Sequence, residues 1–249
     1  MKSETESLIR VIKKSMVTAG VPILRDINEL ERIQMSGKNT SDYATRTQKR
    51  CGKILQEALL SARPRWSYND NIGGRGRGLV ENYFLVSPLT NFNNFQRALP
   101  LFATSIIALT NHKTPDSEHE WLIEVGAVYH PLLDDFFVAD GREAFHNQKW
   151  LRLGKTSTNH TTHSNHAKNN EQNFGAAVLE LCYLAGNRID KFRGEKLPLF
   201  EIAAGLFIAL SAGVKITYGN GENLTPSTLA LLCKNIINQP DATISFEAK

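Results

Sequence analysis

The stretch that decides the fold is FLVSPLTNFNNFQRALPLFATSIIAL, residues 84–109. Residues 84–86 form a short apolar run of the kind found in strands that are covered on both faces. Ser87-Pro88 is predicted to end this strand, because proline has no N–H group to donate to a neighbouring strand. A polar turn follows, and a second apolar run occupies residues 102–109. A polar loop at the end of a buried strand is a common place for a functional site in an open α/β sheet.

The same stretch resembles the signature of the inositol monophosphatase family. That signature reads Asp-Pro-Leu-Asp-Gly-Thr-x-Asn-Phe, followed by Pro-x-Phe-Ala-x-Ser-Ile-Ala-Leu. Here the two parts stand as SPLTNFNNF (87–95) and PLFATSIIAL (100–109). Further matches, in chain order, are GAVYHPLLDDFF (126–137), AFHN (144–147), GAAVLELCY (175–183), GNRID (186–190) and FEIAAG (200–205). The framework residues match, whereas the residues that carry the family's chemistry do not.

The resemblance implies an α/β fold, the layered αβαβα sandwich of the sugar phosphatases. Residues 1–145 are expected to form a larger N-terminal α/β half that carries the signature. Residues 146–249 are expected to form a smaller C-terminal α/β half, and the two halves one compact unit. The alternation of predicted helices and apolar strands agrees with this fold class. The stretch between residues 152 and 175 is shorter than the usual family segment, so a strand there is expected to be missing or replaced.

Local patterns add detail to this fold. Helices are predicted at residues 4–34, 41–62, 175–185 and 201–212, and strands within 121–138 and at 216–218. Gly20-Val21-Pro22 predicts a break or kink in the first helix, because proline cannot donate the helical hydrogen bond. Ser41 is predicted to cap the second helix. The Gly- and Arg-rich residues 71–78 could be an RNA-binding segment, but the absence of interleaved aromatic residues favours a surface hairpin.

A polar tract, KTSTNHTTHSNHAKNNEQN, occupies residues 155–173. It contains no core-forming residues and predicts a mobile loop. His160, His163 and His166 recur at every third position, and three imidazoles could bind Zn²⁺. No carboxylate or cysteine stands beside them in the sequence, which favours a solvated loop over a zinc site.

Composition and charge are those of an ordinary globular domain, with one uneven feature. The 249 residues are 41% hydrophobic and 22% charged, and the net charge is +4. Residues 1–100 carry 16 Lys and Arg against 9 Asp and Glu, whereas residues 101–249 carry 13 against 16. The basic part could attract RNA or another polyanion, and it could equally be a solvated surface without a partner.

Targeting and redox features predict a cytoplasmic protein. No run approaches the ~18 apolar residues needed to span a bilayer, so no membrane association is expected. The N-terminus, MKSETESLIRVIKK, carries early acidic groups and no apolar core of a secretion signal. The cysteines Cys51, Cys182 and Cys233 are widely spaced and odd in number, which predicts reduced and buried thiols.

The resemblance implies Mg²⁺-dependent hydrolysis of phosphate monoesters, with carboxylates holding the ions beside the phosphate. The family's metal ligands are a Glu-Glu pair, both aspartates of Asp-Pro-x-Asp with the carbonyl between them, and the aspartate of Trp-Asp. The equivalent positions in this chain are Asn71 (with Asp70 nearby), Ser87, Leu89, Thr90 and Glu201. Of these equivalent positions, Glu201 alone keeps a carboxylate.

The positions that the family uses for phosphate and substrate also differ. The Gly-Thr phosphate cradle corresponds to Asn91-Phe92, so both the freedom of glycine and the hydroxyl group are lost. The substrate-contacting glutamate corresponds to Gly194, with Glu195 beside it. These positions are carried over as candidate phosphate- and substrate-binding residues.

A further family motif, Asp-x-Val-Thr-x-x-Asp, lies upstream. Asp42 and Thr45 keep its first aspartate and its threonine, and they are the candidate catalytic residues. The final aspartate is replaced by Gln48. Arg46 and Lys49 remain nearby, so a pocket that has lost its acids could bind phosphate or a sugar phosphate without metal.

Loss of the carboxylates favours a catalytically degenerate family member. A unit ion pair at 4 Å contributes roughly 4 kcal/mol at an effective dielectric of 20, and a divalent ion about doubles this. A micromolar metal site has about 8 kcal/mol of binding free energy in total. We therefore expect no cofactor, apart from residual Mg²⁺ binding through Glu201 and Asp42. The alternative is a phosphatase acting on inositol monophosphate or a related sugar phosphate, with a rearranged site built from Asp42, Asp70 and Glu201.

The resemblance also implies partners. Family members are commonly homodimers. One bacterial branch, the extragenic-suppressor proteins, acts in ribosomal RNA transcription and maturation by binding RNA polymerase or antitermination factors. A homodimer and a partner of the RNA polymerase, antitermination or RNA class are therefore expected. Carboxylates at the site would favour an enzyme, and their absence favours a binding or regulatory protein.

Overall fold

A computed structural model describes residues 2–70, 72, 81–112, 120–154, 161–166, 171–237, 239 and 241–249. These residues form six helices and two β-sheets. The helices are α1 (Lys2–Met35), α2 (Ser41–Ala62), α3 (Phe92–Gln96), α4 (Ala177–Ala185), α5 (Leu199–Ser211) and α6 (Pro226–Ile236). None of these six helices is both long and apolar enough to cross a membrane.

The first sheet has seven strands in chain order, and only its β1–β2 pair is parallel. Its strands are β1 (Ser67–Asp70), β2 (Asn82–Thr90), β3 (Ala103–His112), β4 (Glu120–His130), β5 (Asp135–Ala139), β6 (Ala144–His146) and β7 (Lys149–Leu151). The second sheet has the order β11-β10-β12-β9-β8. Its strands are β8 (Thr162–Ser164), β9 (Lys191–Pro198), β10 (Ile216–Tyr218), β11 (Glu222–Asn223) and β12 (Thr243–Ala248).

The elements stack in layers, which confirms the predicted α/β layered architecture. Helices α1 and α2 share one hydrophobic core with one face of the first sheet. Helices α4, α5 and α6 share a second core with the other face of that sheet and with the second sheet. Along β12, Ile244, Phe246 and Ala248 are buried while alternate residues are more exposed, as expected for a sheet with one solvated face. The described helices therefore occupy the layers on either side of the first sheet.

Most predicted elements are confirmed by the structure. Helix α2 has the predicted bounds, and α5 begins two residues earlier than predicted. The predicted cap at Ser41 is wrong by one residue: Ser41 begins the helix, and Thr40 is its N-cap. The three cysteines are free and buried, as predicted, and burial raises the pKa of the Cys51 and Cys233 thiols to about 12.

The predicted break in the first helix is wrong. Helix α1 runs without interruption for 34 residues with Pro22 inside it. A proline within a helix removes one main-chain hydrogen bond, and here the buried face of the helix outweighs that loss. Ile12, Met16 and Ile23 on that face are fully buried in the core shared with α2 and the first sheet. Tertiary packing thus overrides the local signal.

The predicted end of the central strand at Ser87-Pro88 is also wrong. Strand β2 continues to Thr90, and all residues from 83 to 90 are buried. Ser87 pairs with Ser105 and Thr90 pairs with Ala103. An advance of three residues along β2 is therefore matched by an advance of only two residues along β3. The extra residue is a β-bulge, and Pro88 is tolerated there because a bulged residue need not donate to the ladder.

The polar tract is structured where it is described, so the loop prediction is wrong for residues 162–164. These residues form β8, which pairs in parallel with β9. His163 Nδ1 lies 2.9 Å from Glu180 Oε1, and both side chains are buried. His166 is exposed, and His160 lies outside the described residues. His163 therefore belongs neither to a solvated loop nor, within the described chain, to a three-histidine zinc site.

Candidate functional site

The candidate site lies where β2 ends, between α2 and the start of α5. From α2, the Cys51 thiol lies 3.1 Å from the carbonyl oxygen of Pro88. From the other side, the Ser105 hydroxyl donates to the carbonyl oxygen of Glu201 at 3.3 Å. The bulge in β2 therefore lies between a helix of the N-terminal layer and a helix of the middle layer.

Asp70 is the carboxylate nearest to this bulge along the sheet. It is the last residue of β1 and is the register partner of Val86, so Ser87 follows directly beside it. Asp70 is buried, and its Oδ1 accepts a hydrogen bond from the Ile72 N–H at 3.1 Å. Asn71, the position that the resemblance gives for the family's Glu-Glu pair, lies outside the described residues. The strand register identifies Asp70 as the carboxylate of this region.

Ser87 occupies the position of the family's first signature aspartate. Its side chain is only 1% exposed, and its hydroxyl has no hydrogen-bond partner among the described residues. A neutral hydroxyl can donate one hydrogen bond and accept others, but it supplies no charge. The position keeps a buried polar atom and loses the charge that a divalent ion needs.

Thr90 occupies the position of the second signature aspartate, and its side chain forms hydrogen bonds with the main chain of Ala103. The Thr90 hydroxyl donates to the Ala103 carbonyl oxygen at 3.0 Å and accepts from the Ala103 N–H at 3.1 Å. Thr90 is fully buried. Both bonds complete the β2–β3 pairing on the far side of the bulge. The hydroxyl is therefore committed to the sheet.

The main-chain carbonyl oxygens of the bulge also accept hydrogen bonds from protein side chains. The Leu89 carbonyl oxygen, the family's backbone ligand position, accepts from the Gln48 amide at 3.4 Å. The Pro88 carbonyl oxygen accepts from the Thr104 hydroxyl at 2.9 Å. Gln48 stands where the upstream family motif has an aspartate, so an amide donor replaces a carboxylate opposite this carbonyl.

Glu201 contributes the remaining carboxylate at the site. It is the third residue of α5, where a negative charge is favoured by the helix dipole. Burial raises the pKa of Glu201 above its usual value, and a hydrogen bond from the Asn91 N–H only partly opposes this. The protonated form of Glu201 is therefore more favoured than that of an exposed glutamate.

Asn91 and Phe92 occupy the turn that corresponds to the family's phosphate-binding Gly-Thr turn. Asn91 has a φ of 55°, a left-handed conformation in which asparagine is one of the better-tolerated residues after glycine. Its Nδ2 donates to the Gly175 carbonyl oxygen at 2.7 Å, and its Oδ1 is buried with no partner among the described residues. Phe92 packs against the core of α1 and α2. The turn is thus fastened to the segment before α4.

Gly194 has no space for the side chain that the family has there. A Cβ atom at this position would lie 2.5 Å from Phe246 Cε1 and 2.8 Å from Leu197 Cδ1. Phe246 is buried, so its ring occupies the volume next to the glycine. The adjacent Glu195 is exposed, and its main chain bonds to the side chain of Asn165.

The remaining candidates lie on α2. Asp42 is exposed in the first turn of the helix, and Thr45 is half-buried. Arg46 and Lys49 are exposed, and the Arg46 guanidinium lies 5.6 Å from the ring centre of Tyr43. The structure thus places these side chains on the outer part of α2.

Three features of this region were not predicted from the sequence. The register of Asp70 beside Val86, the bond from Gln48 to Leu89, and the double bond of Thr90 to Ala103 all depend on pairing between distant segments. The only sequence signal for them is the joint loss of aspartates at positions 48 and 90. A further unpredicted pair, His163 with Glu180, leaves the His163 Nε2 and Glu180 Oε2 atoms buried and without partners among the described residues.

Sequence comparison finds relatives along nearly the whole chain. An inositol-1-monophosphatase of Rhizobium meliloti (strain 1021) is 27% identical over 253 residues, which cover 92% of each chain. A Nus factor SuhB of Vibrio cholerae is 26% identical over 234 residues, which cover 84% of each chain. No protein-family model matches the chain.

Structure comparison finds the same fold in solved structures. The extragenic suppressor protein SuhB from Bartonella henselae superposes with a TM-score of 0.70 at 23% identity, covering 96% of this chain and 92% of that chain. The inositol monophosphatase from Anabaena superposes with a TM-score of 0.70 at 17% identity, covering 99% and 91%. In sequence the chain resembles inositol monophosphatases along nearly its whole length, and it shares their fold.

The donors at this site do not fit the Mg²⁺ ions that the inositol monophosphatase family uses. Mg²⁺ prefers an octahedron of hard oxygens that includes carboxylates. Here the Thr90 hydroxyl and the Leu89 carbonyl accept hydrogen bonds from protein donors, and Ser87 and Thr90 supply no charge. Within the described ranges, no three His, Cys, Asp or Glu residues are grouped so that they could hold a metal. The rearranged site of Asp42, Asp70 and Glu201 is therefore not assembled.

Proposed function

We propose that this chain is a catalytically inactive member of the inositol monophosphatase family that acts by binding a partner. The observation that carries the proposal is the commitment of the Thr90 hydroxyl to both main-chain groups of Ala103. A carboxylate next to a divalent ion at 4 Å contributes roughly 8 kcal/mol at an effective dielectric of 20. Replacing it by a neutral hydroxyl that already donates one hydrogen bond and accepts another removes this attraction.

We propose a transcription-related partner for this binding role. Relatives from Vibrio cholerae and Xylella fastidiosa are named Nus factor SuhB. This likeness supports proposing RNA polymerase, an antitermination factor or RNA as the partner, and we propose in addition a cytoplasmic location and a homodimer. The excess of basic residues in the first 100 positions is compatible with a polyanionic partner.

A phosphatase assay tests the loss of catalysis. The purified chain is incubated with inositol monophosphate and Mg²⁺, with the Rhizobium meliloti inositol-1-monophosphatase as the positive control. We expect no phosphate release above the uncatalysed background. Turnover comparable with the control would establish the second candidate function, a Mg²⁺-dependent phosphomonoesterase, which is favoured by the 27% identity to that relative.

A complementation experiment tests the binding role separately. The gene is deleted in its host, and ribosomal RNA transcription is measured after return of the wild-type chain or of the Glu201→Gln variant. A binding protein keeps its effect on transcription when this carboxylate is replaced. Loss of complementation by a variant that is folded and produced normally would contradict the proposal, because it would make the residual carboxylate essential.

A further inference from the structure

Asp26 organises a group of arginine side chains on the outer surface of α1 and α2. Its carboxylate is fully buried, and Oδ1 accepts hydrogen bonds from Arg25 Nε at 2.8 Å and from the Tyr43 hydroxyl at 3.2 Å. Oδ2 accepts from the Thr47 hydroxyl at 2.7 Å and from Arg50 Nη1 at 2.8 Å. The two guanidinium groups are therefore held next to each other by the two oxygens of one carboxylate.

A third guanidinium is positioned through Tyr43. The Arg46 guanidinium lies over the Tyr43 ring, 5.6 Å from its centre, and the hydroxyl of that ring is bonded to Asp26. A cation is attracted by the negative potential on the face of an aromatic ring. Asp26 thus fixes two arginines directly and a third through the tyrosine. We call Arg25, Arg46 and Arg50 the arginine cluster.

The arginine cluster carries more positive charge than Asp26 needs. One guanidinium is enough to neutralise one carboxylate, and two bind it directly. The side chains of Arg25 and Arg50 are 66% and 47% exposed, whereas that of Asp26 is 1% exposed. A guanidinium has five N–H donors, and Asp26 uses only two nitrogens of Arg25 and one of Arg50. The other donors of these exposed groups can bind an acceptor from outside the protein.

A phosphate group has the chemistry that this arrangement recognises. The planar guanidinium matches the spacing of phosphate oxygens and binds them with two parallel hydrogen bonds. Side chains that are already held in place lose less conformational entropy when a ligand binds. A purely structural role does not explain Arg25, because it neighbours Asp26 on α1 and its bond links no two elements.

Further basic side chains extend the arginine cluster along one face of α2. The exposed basic residues at spacings of three and four are Arg46, Lys49, Arg50 and Lys53. From Arg46 to Lys53 the row spans about 10 Å, the length of about three successive phosphates on one nucleic-acid strand. Acidic side chains limit the row at both ends, since Asp42 precedes Arg46 by one turn and Glu57 pairs with Lys53 at 3.8 Å.

We propose that the arginine cluster and the basic row of α2 bind the phosphate backbone of RNA. The inference rests on the RNA partner included in the proposed function and adds the surface that binds it. Tyr43, the aromatic side chain within the cluster, is half-buried and its ring is occupied by Arg46, so it offers no platform for a base. Contacts to phosphates position a strand without reading its sequence. Binding is therefore independent of base sequence and sensitive to salt.

Fluorescence anisotropy with a labelled single-stranded RNA of about 12 nucleotides tests the surface. The full chain is titrated at salt concentrations from about 50 to about 200 mM KCl. With three phosphates neutralised, the logarithm of the affinity should fall against the logarithm of salt with a slope of about −2. Arg46→Gln should weaken binding about fivefold and reduce the size of this slope by about 0.7. Lys234→Gln removes the same charge from an exposed position of α6, and as the matched control it should change neither.

Arg25→Lys separates recognition by a guanidinium from simple charge. The variant keeps the positive charge and loses the planar donor group, so we expect about threefold weaker binding with an unchanged salt slope. Urea unfolding checks that the variant remains as stable as the wild-type chain. Binding equal to wild type would show that the surface acts only through diffuse positive charge, and would reject the arginine cluster as a site.

Inorganic phosphate distinguishes the two sources of the ligand. If millimolar phosphate binds with a dependence on Arg46 and the RNA does not bind, the arginine cluster is a site for free phosphate, and the RNA surface is overturned. Equal weakening of RNA binding by Arg46→Gln and Lys234→Gln would also overturn it, because net charge alone would then explain the affinity.

The complementation experiment separates failure of this surface from failure of the proposed function. If the chain binds no RNA but restores ribosomal RNA transcription in the deleted host, the surface is rejected and the transcription role stands with a protein partner. If the chain binds RNA through the arginine cluster but does not restore transcription, the surface stands and the transcription role is rejected.

Discussion

Two carboxylates in this molecule, one fully buried and one half-buried, have opposite surroundings. Asp26, on α1, is fully buried, and its two oxygens accept hydrogen bonds from the side chains of Arg25, Tyr43, Thr47 and Arg50. Glu201, at the start of α5, accepts a hydrogen bond from the Asn91 N–H, and burial raises its pKa. One carboxylate is surrounded by cations, and the other is not.

The difference shows how each region compensates the charge of a carboxylate. A buried charge is tolerated where cations and hydrogen-bond donors compensate for the loss of water. The interface of α1 and α2 provides these donors from the protein itself. In the inositol monophosphatase family, the metal ions would compensate the carboxylates of the site. With most of those carboxylates replaced, the Thr90 hydroxyl and the Leu89 carbonyl are bonded within the protein, whereas Ser87 Oγ and Asn91 Oδ1 are buried without a partner among the described residues.

The largest expected effect comes from removing the charge of Asp26. Asp26→Asn should lower the free energy of unfolding by about 3 kcal/mol, because two guanidinium partners lose their anion and hydrogen bonds are disrupted. Urea unfolding measures this change. Lys53→Gln, which removes an exposed i,i+4 pair with Glu57, is the control and should change stability by about 0.5 kcal/mol or less. A loss below about 1 kcal/mol for Asp26→Asn would show that the helix interface does not depend on this charge.

Removing the hydroxyl at the second aspartate position should have the next largest effect. Thr90→Val leaves the Ala103 N–H and carbonyl without their buried partner, so we expect a loss of about 2 kcal/mol in the free energy of unfolding. Thr243→Val, at an exposed position of β12, is the matched control. If Thr90→Val is as stable as wild type, the hydroxyl is not committed to the sheet, and the comparison with Asp26 fails.

Gly194→Ala should have a smaller effect. The new Cβ would overlap the Phe246 ring, and we expect a loss of about 1.5 kcal/mol from overpacking. Glu195→Ala, at the exposed neighbouring residue, is the control. In the double variant Gly194→Ala with Phe246→Leu, the overlap is relieved, so the two losses should be less than additive. Strict additivity would mean that the ring moves freely and that a side chain fits at residue 194.

The effect of Glu201→Gln on the free energy of unfolding is expected to depend on pH, which tests the comparison between the two carboxylates. The native state binds the Glu201 proton more tightly than the unfolded chain does, so stability falls as pH rises from about 4.5 through the raised pKa. Glutamine can still accept from the Asn91 N–H and carries no charge. We expect the variant to be more stable than wild type at neutral pH, with the difference shrinking in acid. Thermal unfolding across this pH range measures it, and a destabilised variant at neutral pH would show that the charge is compensated.

Much of the fold could be predicted from the sequence because the signals were local. The bounds of α2 follow from its helical periodicity, and the buried run of 84–86 lies inside β2. The predictions failed where contacts between distant segments, rather than local sequence signals, determined the structure. Pro22 lies inside α1 because the helix face is buried, and β2 passes Pro88 because the bulge removes the need for a donor.

The candidate site could be located from the sequence, but its internal bonding could not. The replaced residues at 87, 90 and 201 are visible from the family resemblance alone. Thr90 is 13 residues from its partner Ala103, and Gln48 is 41 residues from Leu89, whose carbonyl oxygen it contacts. The burial of His163 by Glu180 is likewise a contact between separate segments. No local pattern encodes such pairs.

Calorimetric titration of Mg²⁺ into the full chain tests the central claim most directly. It is performed at neutral pH with and without inositol monophosphate, with the Rhizobium meliloti inositol-1-monophosphatase as the positive control. The account predicts no saturable heat for this chain up to millimolar Mg²⁺ under conditions in which the control binds. Saturable binding in the micromolar to millimolar range that is lost in Glu201→Gln would contradict it, because a rebuilt metal site would then exist.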